Sequence, residues 1–130
     1  MRMYASGQSI LVTPVPLSKS RKKTRGYNQA ERIARSFCYI GNTDSKNTFE
    51  LRGDIVTKVR DTSPQARIAN RTKRLENIKG AFKINNESMV KGRTIIVIDD
   101  VTTTGGTLLE LMKILKNAGA KKVVGFAVAH

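Results

Sequence analysis

The sequence predicts an α/β fold, a mainly parallel sheet with helices on both faces. Three observations predict it. Residues 10–15, 95–98 and 123–128 are nearly all apolar, as strands buried on both faces require. Segments with helical spacing separate strand-like runs, which favours parallel crossovers over hairpins. Residues 95–108 pass from an apolar strand through an acidic step and a Gly/Thr loop into a helix. At 130 residues the chain reads as one domain, residues 1–130, long enough to bury a core.

Each element has its own signal. Residues 10–15 form a first strand, closed by Pro14 and Pro16. A basic loop follows, with Lys19, Arg21, Lys22, Lys23 and Arg25, and Gly26 ends it. Residues 27–39 are predicted as a helix, because Ala30, Ile33, Ala34 and Phe37 share a face opposite Glu31, Arg32 and Arg35. Residues 41–47 are polar and turn-rich, a loop. Residues 54–59 read as a short second strand. In the basic stretch 60–80, Ser63-Pro64 is a helix start with a thin apolar face behind it. Such a helix has little to bury and is expected to be mobile. Residues 80–84 alternate as a strand, and residues 85–93 link to the central motif. Leu108, Leu111, Met112 and Leu115 mark the helix after it, and Gly119 fits that helix's C-terminal cap.

The central motif carries the chemistry. Asp99 and Asp100 follow the apolar run directly, and Thr102, Thr103, Thr104, Gly105, Gly106 and Thr107 lead into the helix. A loop entering a helix N-terminus offers unpaired N–H groups and the positive dipole end to an anion. Glycines allow close backbone approach to a phosphate, and threonines add hydroxyl donors. The two carboxylates repel that phosphate, so they need sugar hydroxyls or a hydrated Mg²⁺ beside it. One phosphate, a diol and a metal within a few ångströms describe a phosphorylated ribose. The bland alternative is an ordinary strand–turn–helix with acidic punctuation. A receiver-type acidic pocket would need further acids at an earlier strand end, and residues 10–17 have none.

Composition narrows the class. Charged residues at 26% and hydrophobic ones at 39% match a water-soluble globular balance. No apolar run approaches the roughly 20 residues that span a bilayer, so membrane insertion is not expected. One cysteine, Cys38, rules out an internal disulfide and a Cys-rich zinc site within these residues. The one histidine is the last residue, His130. With no export-type leader visible, the expected compartment is a reducing cytoplasm. The chain holds 24 Lys and Arg against 10 Asp and Glu, a formal charge of +14, and such a surface attracts polyanions. Charge alone cannot separate a small polyphosphate from nucleic acid, and 5% aromatics give no evident base-stacking platform.

The stretch around Asp99 and Asp100 resembles the binding motif for 5-phosphoribosyl-1-pyrophosphate (PRPP) of type I phosphoribosyltransferases. Asp99, Asp100, Thr103, Thr104, Gly105 and Thr107 match it position by position. Further segments resemble the ComF (competence protein F) family. These are the turn Pro14-Val15-Pro16, the run Arg25-Gly26-Tyr27-Asn28-Gln29, Gln65 ahead of Arg74 and Asn77, and Gly80-Ala81-Phe82. Tyr27 stands where that family usually has Phe. The resemblance runs from about Pro14 to the end. Longer members carry a Cys-rich N-terminal segment that lies outside it.

The resemblance implies roles. The type I phosphoribosyltransferase fold would place the PRPP 5-phosphate at Thr103, Thr104, Gly105, Gly106 and Thr107. Asp99 and Asp100 would be the catalytic pair, holding the ribose hydroxyls directly and Mg²⁺ through water. Val15, Pro16, Leu17 and Ser18 would bind pyrophosphate, with Arg25 and Arg74 reaching the same group. For both arginines the alternative is a solvated face or a nucleic-acid contact. Asn28, Gln29, Gln65 and Asn77 read as structural hydrogen-bonders. Three functions stay open: a Mg²⁺-dependent phosphoribosyltransferase acting on an unknown nitrogen acceptor, a non-catalytic PRPP or nucleotide sensor, and a competence factor that engages single-stranded DNA or competence proteins. The sequence leaves the oligomeric state open.

Overall fold

A computed structural model describes residues 9–17, 26, 28–43, 46–59, 78–101 and 106–129. Its principal sheet has strands β1 (Ile10–Pro14), β2 (Phe49–Leu51), β5 (Thr94–Val101) and β6 (Lys122–Ala129) in the order β2-β1-β5-β6. Every neighbouring pair is parallel. A separate antiparallel pair joins β3 (Val56–Lys58) to β4 (Phe82–Ile84). The helices among the described residues are α1 (Gln29–Thr43) and α2 (Gly106–Asn117), with a 3-10 turn at Glu87–Met89. Among these residues no helix is long and apolar enough to cross a membrane.

The two-residue period of the central strands divides the core. Leu11 of β1 and Ile95 and Val97 of β5 pack with Leu111 and Leu115 of α2. Val12 and Ile98 face the other way and pack with Ala34 and Cys38 of α1. Both faces are therefore covered, which is why these strands carry no polar alternation. Full burial of each such aliphatic side chain is worth about 1.5–3 kcal/mol. The β3–β4 pair adds Val56 and Phe82 to the α2 side.

Several boundaries differ from the sequence expectation for physical reasons. Helix α1 starts two residues later than expected and continues through Gly41 to Thr43. Gly41 serves packing here: a Cβ at that position would lie 2.7 Å from the Phe49 ring. Asn42, in the same turn, accepts from the Phe49 N–H at 2.7 Å and donates to its carbonyl at 3.0 Å, which docks β2. Strand β2 itself was not expected, because three half-buried residues make too short a pattern. The strand expected at residues 54–59 exists as β3, but it lies outside the parallel sheet. Its end is therefore not one of the carboxyl edges where an α/β sheet presents ligands. Strand β5 does not stop before the acidic pair. It continues to Val101, with Asp99 opposite Ala127 of β6. Gly119 does cap α2, with φ of 106°, a left-handed geometry that suits glycine. The helix expected after Ser63 lies outside the described residues.

Candidate functional site

The site forms at the carboxyl ends of β1 and β5, adjacent parallel strands in register from Leu11 opposite Ile95 to Pro14 opposite Ile98. Strand alternation puts Asp99 on the face of Ile95 and Val97, and Asp100 on the opposite one. The chain then re-emerges as α2 at Gly106, which is buried. Acidic pair and helix start are thus only a few residues apart.

The two carboxylates are not equivalent. Asp99 is 7% exposed, whereas Asp100 is half-buried. The Asp99 Oδ1 accepts the Asp100 backbone N–H at 2.9 Å. Burial first, and then the neighbouring Asp100 side chain, push the Asp99 carboxyl up to about 6, while the Lys58 ammonium pulls the other way. A hydroxyl donor or a cation beside such a carboxyl would offset the cost of its burial.

The turn after β1 is tied to this strand end. The Val15 N–H donates to the Ile98 carbonyl at 2.8 Å. Asn28 holds the turn from the other side, donating from Nδ2 to the Val15 carbonyl at 3.1 Å. Its Oδ1 accepts from the N–H groups of Ala30 at 3.0 Å and Glu31 at 3.4 Å, the pattern of an N-cap. One buried side chain thus joins the β1 turn to the first turn of α1. The sequence reading of Asn28 as a structural hydrogen-bonder holds. Its position as cap and clamp is the part the sequence reading missed, because the helix was expected from residue 27 and Asn28 fell inside it, whereas the helix starts at Gln29 with Asn28 at the cap position.

Beside this turn lies a cleft of about 190 Å³. Pro14, Pro16, Leu17 and Val56 give it an apolar wall, and Glu31, Gly53 and Thr57 line the rest with Asn28. The sequence reading did not name Glu31, Gly53, Val56 or Thr57 as site residues.

Of the residues expected at the site, Val15, Pro16, Leu17, Asp99, Asp100, Gly106 and Thr107 are among those described. The first three lie next to β5 through the Val15–Ile98 bond and the Pro14–Ile98 pairing. Ser18, Arg25, Arg74, Thr103, Thr104 and Gly105 lie outside the described residues. Among the described residues no three His, Cys, Asp or Glu side chains gather as a metal cage. Two adjacent carboxylates suit instead a Mg²⁺ that keeps its waters and completes its shell with phosphate oxygens.

Parallel α/β sheet, acidic pair at a central strand end and helix start directly behind it define a phosphoribosyl transferase domain, and the family comparison agrees. The model of that domain matches residues 23–130, so the chain belongs to this family. Among curated proteins it is similar to Competence protein F of Haemophilus influenzae, 30% identical over 120 residues, which cover 92% of this chain and 49% of that protein. Competence protein ComFC of Streptococcus pneumoniae is 31% identical over 132 residues, covering 100% of this chain and 51% of that protein. DNA utilization protein YhgH of Escherichia coli (strain K12) is 30% identical over 112 residues, 86% of this chain and 45% of that protein. The chain spans about half the length of these relatives. They bear out the ComF resemblance drawn from the sequence.

Proposed function

We propose that the chain binds PRPP and transfers its phosphoribosyl group to a nitrogen acceptor, with Mg²⁺ as cofactor. The observation that carries this reading is the buried Asp99, beside Asp100, at the end of β5 and ahead of the α2 N-terminus. In this reading Asp99 and Asp100 accept hydrogen bonds from the ribose hydroxyls. Their negative charge favours the cation-like anomeric carbon as the pyrophosphate bond breaks. Thr103, Thr104, Gly105, Gly106 and Thr107 hold the 5-phosphate at the positive end of α2. The turn at Val15, Pro16, Leu17 and Ser18, with Arg25 and Arg74, receives pyrophosphate. Asp99 and Asp100 would hold the metal through water, and the metal would supply charge neutralisation to the leaving pyrophosphate.

The test is calorimetric titration of PRPP with Mg²⁺ on wild type and on Asp99→Asn/Asp100→Asn, followed by pyrophosphate release with candidate nitrogen acceptors. Binding to wild type and its loss in the double variant are expected. A folded wild type that ignores PRPP would end the reading. PRPP binding without turnover on any acceptor would leave a sensor on the same fold.

The names of the relatives and the +14 charge favour a second reading, a role in DNA uptake or utilization through single-stranded DNA or competence proteins. Oligonucleotide affinity measured against salt concentration tests it, since contacts to phosphates by Lys and Arg give a steep negative slope. A flat salt response would remove DNA from the account.

A further inference from the structure

Strand β6 ends the principal sheet. Among the described residues it pairs with β5 alone and stands last in the strand order. Its register sets Val124 beside Ile96 and Phe126 beside Ile98, so Val124, Phe126 and Val128 lie on the α1 face of the sheet. That helix packs on β1, β2 and β5. Phe126 is left 55% exposed and Val128 61% exposed. On the other face Leu108 and Met112 of α2 fill the space over Gly125. Leu109, beside Met112 on the helix surface, is exposed as well. Edge strands are ordinarily guarded by short length, proline or charge. Strand β6 has eight residues and no proline, and residues 123–129 carry no charge.

We propose that β6 is the seat of a twofold contact with a second copy of this chain, each β6 pairing antiparallel with its counterpart about Phe126. Two features of the strand select that partner. The first is its symmetry: Val124-Gly125-Phe126-Ala127-Val128 reads nearly alike from either end. A twofold contact sets one patch against itself, so it needs such self-complementarity. With Phe126 on the axis, each Phe126 faces its counterpart, and Val124 of one copy faces Val128 of the other. Residues directly opposite in an antiparallel pair share a face, so these side chains form one unbroken apolar row. Gly125 then faces Ala127, two small residues on the α2 side. The second feature is charge. At +14 the chain repels its own copies wherever basic groups face each other. A neutral edge lets two copies meet, and Lys122 falls at the end of the paired strands, away from the axis. A polyanion, the partner that the net charge attracts, finds no cation along residues 123–129.

The test is sedimentation equilibrium of the chain over the micromolar range. Wild type is expected to pass from monomer to dimer, and more tightly as salt is added, because salt screens the repulsion between two cationic copies. Phe126→Lys sets like charges opposite one another and should weaken the dimer by roughly tenfold or more. Circular dichroism should stay native, since that side chain is already exposed. Phe126→Glu should weaken the dimer in the same way. The two variants mixed should recover it, because opposite charges then meet across the axis. Where a variant at 126 folds poorly, Val128→Lys takes its place, and it too should dissociate the dimer. Amide exchange in β6 should slow as wild type dimerises. A wild type that stays monomeric overturns the proposal, and slow β6 exchange in that monomer would assign the edge to another part of its own chain. Association that weakens with salt overturns it in favour of a bridging polyanion. A dimer that Phe126→Lys leaves intact, or that the mixed variants fail to restore, overturns it as well.

Discussion

Replacing Asp99 by Asn should make the ligand-free protein more stable at neutral pH while it abolishes PRPP binding. The carboxyl is buried and pushed up to about 6, against about 3.9 in an unfolded chain. The sign follows from that order. Below the unfolded value the group is neutral in both states and exacts no penalty. As pH rises above about 3.9 the unfolded chain ionises while the folded carboxyl stays neutral, so the penalty grows up to about pH 6; above that the folded chain carries the buried charge and the penalty is at its plateau. The difference corresponds to an upper bound of roughly 2–3 kcal/mol at pH 7–8. Asparagine keeps the Oδ1 acceptor for the Asp100 N–H, so the local backbone survives. Thermal unfolding of both proteins from pH 4.5 to 8, in chelator and without PRPP, checks this. A rise in Tm of several degrees for Asp99→Asn at pH 8 is expected, shrinking toward pH 5. A variant less stable than wild type at pH 8, or a gap that ignores acid, would show that the carboxyl is not destabilising. This is the trade expected where a group is kept for ligand binding and not for folding.

The second large effect is at Asn28. Alanine there removes the cap of α1, worth about 0.5–2 kcal/mol. It also leaves the Val15 carbonyl without its Nδ2 donor, and an unsatisfied buried acceptor costs about 1–3 kcal/mol. Together a loss of about 2–4 kcal/mol is expected in denaturant unfolding, with weaker PRPP binding through the loosened turn. Aspartate separates the two roles. It caps as well as asparagine but has no donor for Val15. Asn28→Asp should therefore keep the helix start and still lose PRPP affinity. Wild-type affinity in Asn28→Asp would show that the clamp does not position the turn.

How much of this was legible beforehand depends on how long each pattern is. The strands β1, β5 and β6 announce themselves, because burial on both faces leaves runs such as Ile95, Ile96, Val97 and Ile98 with no polar break. Strand β2 has Phe-Glu-Leu and no such run, and its place is set by Asn42 and the Phe49 backbone, a tertiary tie that spacing does not reveal. Gly41 misled for a related reason: it reads as a turn residue, yet it is glycine because Phe49 packs against it. The acidic pair was legible because two consecutive carboxylates, Asp99 and Asp100, directly follow an unbroken apolar run. Its inequality was not legible, since burial of one carboxylate and not the other comes from strand alternation against α2. The Glu31 cleft was hidden most deeply. Its walls come from the β1 turn, α1 and the segment at Gly53, and residue order gives no hint that these meet.

The pairing of β1 with β5 also governs how the molecule comes into being. The hydrogen bonds from Arg93 to Ser9 close a separation of 84 residues. Strand β1 leaves the ribosome well before β5 and has its central neighbour only after the intervening residues have followed. Closing so long a loop is entropically costly before any contact repays it, which places this topology among the slower folders. Until β5 arrives, the turn at Val15 lacks the Ile98 carbonyl that fixes it, and the aspartates do not yet exist. The β1–β5 edge is therefore completed only late in synthesis, and β6 adds to the other side of β5 after it.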